Sequence, residues 1–259
     1  MLYWKLIRVA IRSQMQYPAS FLMLTVSHFF GTLVDILAIW VLFDRFQMIQ
    51  GWTLPEVGLI YGMVHMGFAI SEITGRSFDT FYLIVKQGDF DRFLLKPISL
   101  LLQIAAREVH LARLGRFFQG FLVLLWSAHA LSFSLFSLHA LVILLSILGI
   151  ASLFYGLLVL HAAISFWTIE SLEVLNITTF GGLQVGQYPM SIYPKGFRLI
   201  FTLLIPLACV GYYPIAILLR HETLPFWLSF ITPLVGFLFL FISCQFWHLG
   251  VRHYRSTGS

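Results

Sequence analysis

The chain has 259 residues, 59% of them hydrophobic and only 10% charged, with a mean hydropathy of +0.88. A water-soluble domain carries about 25% charged residues, so this chain lacks the charge to cover an aqueous surface and is expected to live in a bilayer. The net charge of +5 does not mark a nucleic-acid-binding face, because the Lys and Arg residues sit between apolar runs, where they set topology.

In chain order, residues 3–17 place Leu6, Val9, Ala10 and Ile11 among Lys5, Arg8 and Arg12 at helical spacing, and Pro18 breaks the run. That pattern predicts an amphipathic helix lying along the membrane surface. The basic start is not a standard signal peptide. The apolar run at 19–43 is far longer than the ~7–15 residues of a signal core, and no A-x-A site follows it. It reads as a retained first span, with His28 and Asp35 inside it. A short polar loop, 44–55, leads to a second span at about 56–75. Gly58, Gly62, Gly67 and Ser71 form a small-residue stripe there, of the kind that lets helices approach closely in lipid.

Residues 76–116 are the most charged stretch. The expected course is a helix tail over 76–86, a turn and short amphipathic helix over 87–98, and a helix over 99–113 climbing back to the membrane. Gly88 permits a sharp turn, Asp89 is placed to cap the short helix, and Asp91 adds negative charge at its amino end. Phe90, Phe93, Leu94 and Leu95 give it an apolar side, while Arg92 and Lys96 point elsewhere, and Pro97 stops it. Two readings fit this segment: a small rigid knob offered to a soluble partner, or an interfacial helix resting on lipid headgroups.

A third span at about 115–135 and a fourth at about 138–165 follow, joined by an uncharged tight turn. A connection carrying Glu170 and Glu173 leads to a Gly-rich fifth span at about 174–190. The stretch 188–222 is apolar but punctuated by Pro189, Pro194, Pro206 and Pro214. It reads as a broken or re-entrant hairpin, tolerated at membrane depth only where protein buries it or water lines it. The last span is about 225–249, and a basic tail ends the chain. The expected fold is therefore all-α and polytopic, a single transmembrane domain over 1–259 with six spans and an interfacial helix in front.

Six spans place both termini on one side. With that side taken as cytoplasmic, the inner segments hold Lys5, Arg8, Arg12, Arg76, Lys86, Arg92, Lys96, Arg107, Arg113, Arg116, Arg252 and Arg255. The outer ones hold Arg45, Lys195, Arg198 and Arg220, which completes the 16 Lys and Arg. Twelve against four obeys the positive-inside rule.

No catalytic or metal site is expected. The chain has no G-x-x-x-x-G-K-[ST] loop for ATP, no H-E-x-x-H and no G-x-S-x-G. Its nine His residues are scattered, and Cys209 and Cys244 have no C-x-x-C neighbour. Asp35 and Glu72 are the carboxylates placed in or near the hydrocarbon, where a charge needs a partner, a proton or a water-filled cavity. They are candidates for a translocation path, with capped interfacial residues as the other reading.

A series of short motifs carries a family resemblance. Gly51-Trp52-Thr53, Glu56 and Tyr61-Gly62 precede the run from Gly88 to Pro97. Tyr188-Pro189, Ile192-Tyr193-Pro194, Ile205-Pro206 and Tyr213-Pro214 come later. In this order they resemble the ABC-2 type permeases of ATP-binding-cassette exporters, nearest to a small branch with two permeases beside one ATPase. The resemblance implies a separate cytoplasmic ATPase dimer that binds ATP and Mg, so no cofactor in this chain. It implies an elbow helix at 3–17, and a coupling helix formed by Gly88, Asp89, Phe90, Asp91, Arg92, Phe93 and Pro97. External re-entrant helices at 190–222, a second permease subunit and a bacterial inner-membrane location are implied as well. Few buried charges suit an amphipathic or lipid-like cargo. The alternatives are an intramembrane enzyme using Asp35, Glu72 or a His, and an assembly subunit that transports nothing.

Overall fold

The computed structural model describes residues 8–9, 11–134, 137–168 and 176–255. The first span is a 29-residue helix, Pro18–Phe46. Proline suits its first turn, where a backbone N–H has no intrahelical partner. Gln47 leaves it at φ 56°, and Gln50 and Gly51, at φ 50° and 85°, turn a minimal hairpin of Met48–Ile49 with Trp52–Thr53. The second span, Leu54–Asp79, starts where the Glu56 carboxylate accepts both the N–H (2.7 Å) and the hydroxyl (2.8 Å) of Thr53. This satisfies a donor that the first helical turn would leave orphaned. The short helix Phe81–Lys86 continues it.

Among the described residues, four helices are long and apolar enough to cross a membrane: Pro18–Phe46, Leu54–Lys86, Leu138–Thr168 and Leu228–His253. The bent pair Lys195–Leu203 and Ala208–Leu218, angled by 88°, makes up to five if taken as one span. The chain is thus an all-α polytopic membrane protein. Two of the four helices form its hub. The most apolar stretches of Leu54–Lys86 and Leu138–Thr168, the second and fourth spans of the sequence reading, are 83% and 78% buried, against 17% and 22% for Pro18–Phe46 and Leu228–His253. Small residues account for the hub. A Cβ at Gly62 would lie 2.7 Å from the Gly120 carbonyl oxygen, and one at Gly67 would lie 2.6 Å from Ile150. The stripe on the second span therefore serves two neighbours, the helix Leu114–Ala130 and the fourth span. The outer faces of the first and last spans present Leu22, Met23, Val34, Leu238 and Phe241 to their surroundings, which costs nothing against lipid tails.

Several boundaries differ from the sequence reading. The expected helix over 99–113 is only Leu100–Ala105; a turn, a short irregular link and a 3₁₀ turn, Leu111–Arg113, follow it. The link is non-helical because its backbone bonds elsewhere: His110 N–H donates to the Ile73 carbonyl (2.9 Å) and Leu111 N–H to the Gln14 side chain (3.1 Å). The third helix ends at Ala130, five residues early, and Ser132 turns out of it at φ 56°. The Gly-rich stretch is a π-turn, Ile177–Gly181, running into Gly182–Gly186. Pro233 divides the last span into Leu228–Ile231 and Leu234–His253, since proline removes a ladder donor. Within the proposed elbow, residues 8–9 and 11–14 are helical. Its residues 3–7 and 10 lie outside the described residues, as do Glu170 and Glu173.

Two hydrophobic cores result. The larger draws on the first, second and fourth spans, the third helix and the bent pair. The smaller gathers Phe78, Phe81, Phe90, Ile104, Phe166 and Trp247 at the opposite end of the bundle. That end also holds the turn between the second span and the helix Leu114–Ala130.

Candidate functional site

The turn is built from its glycine outward. Gly88, at φ 74°, ends the helix Phe81–Lys86. Its N–H donates to the Val85 carbonyl (3.2 Å) and that of Asp89 to the Ile84 carbonyl (3.1 Å). This pair of bonds is a Schellman closure, with glycine in the left-handed position that a Cβ disfavours. The chain then forms the five-residue helix Phe90–Leu94. Asp89 does not cap it through its side chain; its carboxylate pairs with Arg92 at 3.3 Å instead. Asp89 sits at φ −70° and ψ −11°, helical angles rather than the extended ones a capping residue needs.

Phe90 is the anchor, fully buried among the rings of Phe81, Phe166 and Tyr254 at centroid distances of 5.5, 5.2 and 4.8 Å. Partial burial, and then the nearby Asp91 carboxylate, push the Tyr254 phenol above its usual pKa. Buried Gln103 ties the returning chain back, donating to the carbonyls of Phe93 (3.1 Å) and Ile98 (2.8 Å). The outer side is open. The Arg92 side chain is 82% exposed and Leu95 is 85% exposed, with Leu94, Lys96 and Pro97 exposed beside them. A cavity of about 240 Å³ next to them is lined by Ile84, Asp89, Arg92, Phe93, Lys96 and Arg107. Three cations and one carboxylate line it, with Arg92 paired to Asp89.

Both ends of the loop are fixed to the second span. Glu72 is 1% exposed and meets Arg116 at 2.8 Å and Arg113 at 3.3 Å. Arg113 also reaches the His28 ring at 3.3 Å, and Arg116 lies 5.0 Å from the Phe68 ring centroid. Ser77 accepts the Glu108 N–H at 3.0 Å. Asp79 pairs with Arg76 at 2.6 Å and approaches His161 of the fourth span at 3.5 Å. A charge this deep is tolerable only when paired, and the pairing holds the start of the third helix against the second span.

Asp35 is half-buried on the first span, within electrostatic range of Arg116, Tyr61 and Tyr188. It and Glu72 do not touch, though Arg116 faces both. Nearby, the buried His65 ring meets Gln187 (3.1 Å), whose amide donates to Gln184 (2.7 Å). The sequence reading passed over these polar side chains because each stands alone in apolar sequence.

At the other end of the bundle, Pro189 and Pro194 frame the 3₁₀ turn Met190–Ile192. Pro206 lies at the bend of the angled pair, and Pro214 follows the π-turn Ala208–Tyr212. The same end carries a clasp that was not foreseen. The Trp52 ring N–H donates to Ser191 at 3.0 Å, and its face stacks on His221 at 4.1 Å. His221 reaches Glu56 at 3.1 Å, and Tyr212 donates to Glu222 at 2.9 Å. A tryptophan just before a Thr-x-x-Glu helix start was the available signal. The hydrogen-bonded partners in the clasp are distant in sequence, Ser191 lying 139 residues from Trp52 and His221 lying 165 from Glu56.

Among the described residues, no group of three or more His, Cys, Asp or Glu side chains could hold a metal. No curated protein and no solved structure matches the chain. The sequence model of the ABC-2 family transporter proteins matches residues 17–258, and with membrane-capable helices and a buttressed turn over that same stretch, the chain belongs to the ABC-2 family of transporter membrane proteins.

Proposed function

We propose that the chain is the permease subunit of an ABC exporter, driven by a separate cytoplasmic ATPase dimer that binds ATP and Mg. The observation carrying this reading is the turn at Gly88–Pro97. It is anchored inward by Phe90 and bonded back by Gln103, and it presents Arg92 and Leu95 outward. An interfacial helix resting on lipid needs no such buttressing; a surface that must receive a push does. Asp89, Asp91, Arg92, Phe93 and Pro97 then form the contact region, and ATP-driven closure of the motor shifts the bundle between two states.

In this reading six passes cross the membrane: the four long helices, the 17-residue helix Leu114–Ala130, and the Gly-rich stretch. The bent pair at 195–218 is a re-entrant hairpin outside. Both termini and the turn are cytoplasmic, in a bacterial inner membrane, and the twelve-to-four sorting of Lys and Arg supports that sidedness. A second permease, the same or related as in the paired branch, supplies the other half of the path. Asp35 borders the path, and Glu72 braces its inner wall. The cargo is amphipathic or lipid-like, in keeping with walls that are mostly apolar.

The test is charge reversal at the turn, Asp91→Arg with Arg92→Asp, in chain co-expressed with its ATPase. The expected result is normal membrane insertion with loss of ATPase co-purification or of ATP-driven transport. A double variant that bound and worked like the parent would sink the coupling assignment.

A further inference from the structure

We infer that the push on the turn is delivered to the fourth and last spans, through an aromatic cage around Phe90, and not to the first span and third helix. This rests on the permease reading and adds the route inside the membrane.

The first support is where the rings stand. Phe90 meets Phe81 (5.5 Å), Phe166 (5.2 Å) and Tyr254 (4.8 Å), and Trp247 closes the far side at 4.8 Å from Phe81 and 5.2 Å from Phe166. One side chain of the turn therefore touches the tail of the second span, the inner end of the fourth, and the chain just past the last. Interlocked rings in a close-packed interior have no free volume to absorb a displacement, so they pass it on.

The second support is what the cage lacks. The buried members of this inner core come from the second span's tail, the turn, Ile104–Ala105, the fourth span and the last span. None comes from Pro18–Phe46 or Leu114–Ala130, whose buried apolar residues, such as Ile39, Phe43 and Leu124, belong to the other core. Pro18–Phe46 has a polar link to the end of the loop at His28, which Arg113 reaches at 3.3 Å, and Leu114–Ala130 is tied through Arg116 to Glu72 of the second span at 2.8 Å.

The third support is that the fourth and last spans form one body. Gly149 lies against Pro233 and Gly236, Gly156 against Leu240, and Gly250 against Ala163 and Phe166. Backbones in contact at three heights along two helices slide past one another only with difficulty. A push entering at Phe166 and Trp247 thus reaches Pro233, at the opposite end.

The experiment is hydrogen–deuterium exchange on the reconstituted permease–ATPase complex, with and without ATP–vanadate trapping. In the parent, trapping should change exchange over 87–98 together with 155–168 and 240–255. In Phe90→Ala, the change over 87–98 should persist while that over 155–168 and 240–255 is lost, and Phe90→Leu should restore it. Trp247→Leu, which leaves the turn untouched, should give the same loss if Phe90→Ala does not assemble. Looser packing alone would raise exchange in both nucleotide states and leave the difference between them intact. The inference is overturned if the nucleotide-dependent change survives both variants, or if in the parent it falls on 18–46 and 114–130 instead. A parent chain that binds no ATPase would remove the permease reading, and this route with it.

Discussion

Replacing Glu72 with Gln keeps the shape of the side chain and removes its charge. Glu72 lies seven residues before the end of the helix Leu54–Asp79, about 10 Å along its axis at ~1.5 Å per residue. Its carboxylate faces two guanidinium groups, at 2.8 and 3.3 Å, whose side chains are only 12% and 15% exposed. Removing one partner of a buried ion pair costs about 3–5 kcal/mol, mostly as the penalty of the charge left behind. Two features favour the lower end. Arg113 keeps the His28 ring at 3.3 Å, and Arg116 keeps the Phe68 ring at 5.0 Å. A loss of ~3 kcal/mol corresponds to a melting temperature lower by about 6–12 °C for a chain of this size. The assay is thermal or denaturant unfolding in mild detergent, run as a cycle with Arg116→Gln and the double variant. Neutralising Arg116 as well removes one stranded charge, so the double variant should lose less than the two single losses added, by about 0.5–3 kcal/mol. Strict additivity, or a single Glu72→Gln loss below ~0.5 kcal/mol, would show that the arginines are solvated without Glu72 and that no brace exists.

Close packing of the second span makes Gly62→Ala costly, because the new methyl would lie 2.7 Å from the Gly120 carbonyl. A loss of about 1–3 kcal/mol is expected in the same unfolding assay. Gly31→Ala on the first span, with nothing within 4 Å, should be neutral or gain up to ~1 kcal/mol, and equal effects at the two sites would refute the packing argument. Sidedness is checked by single cysteines in a chain freed of Cys209 and Cys244. A membrane-impermeant maleimide should label Arg220→Cys on intact cells, and Lys96→Cys only after permeabilisation; the reverse pattern would invert the topology.

Much of this was legible in the one-dimensional chain. An apolar residue needs lipid or a core wherever it sits, so runs of them announce long helices, and the first, second and fourth spans lie within a few residues of their expected places. Gly88 was legible for the same local reason: a helix stop in the left-handed conformation favours glycine whatever surrounds it. The prolines between Pro189 and Pro214 likewise announced a broken segment, since the missing N–H is a property of the residue. The helix over 99–113 was not legible, because His110 and Leu111 spend their N–H groups on Ile73 and Gln14, partners that sequence distance conceals.

The site divides along the same line. Which residues form the turn, and that charge concentrates there, depends on local sequence alone and was read from it. What each of them does depends on neighbours. Phe90 looks like one apolar residue among four, and only folding puts it between Phe166 and Tyr254 while leaving Leu95 outside. Asp89 reads as a cap, but the tertiary turn gives it helical angles and Arg92 as a partner. Glu72 reads as a lone intramembrane carboxylate until the third helix brings Arg113 and Arg116 against it. Hydrophobicity and backbone preference belong to single residues, so the sequence by itself determined the environment and the breaks. Burial and pairing belong to sets of residues distant along the chain, so only the tertiary structure decided which group is buried anchor, paired brace or exposed face.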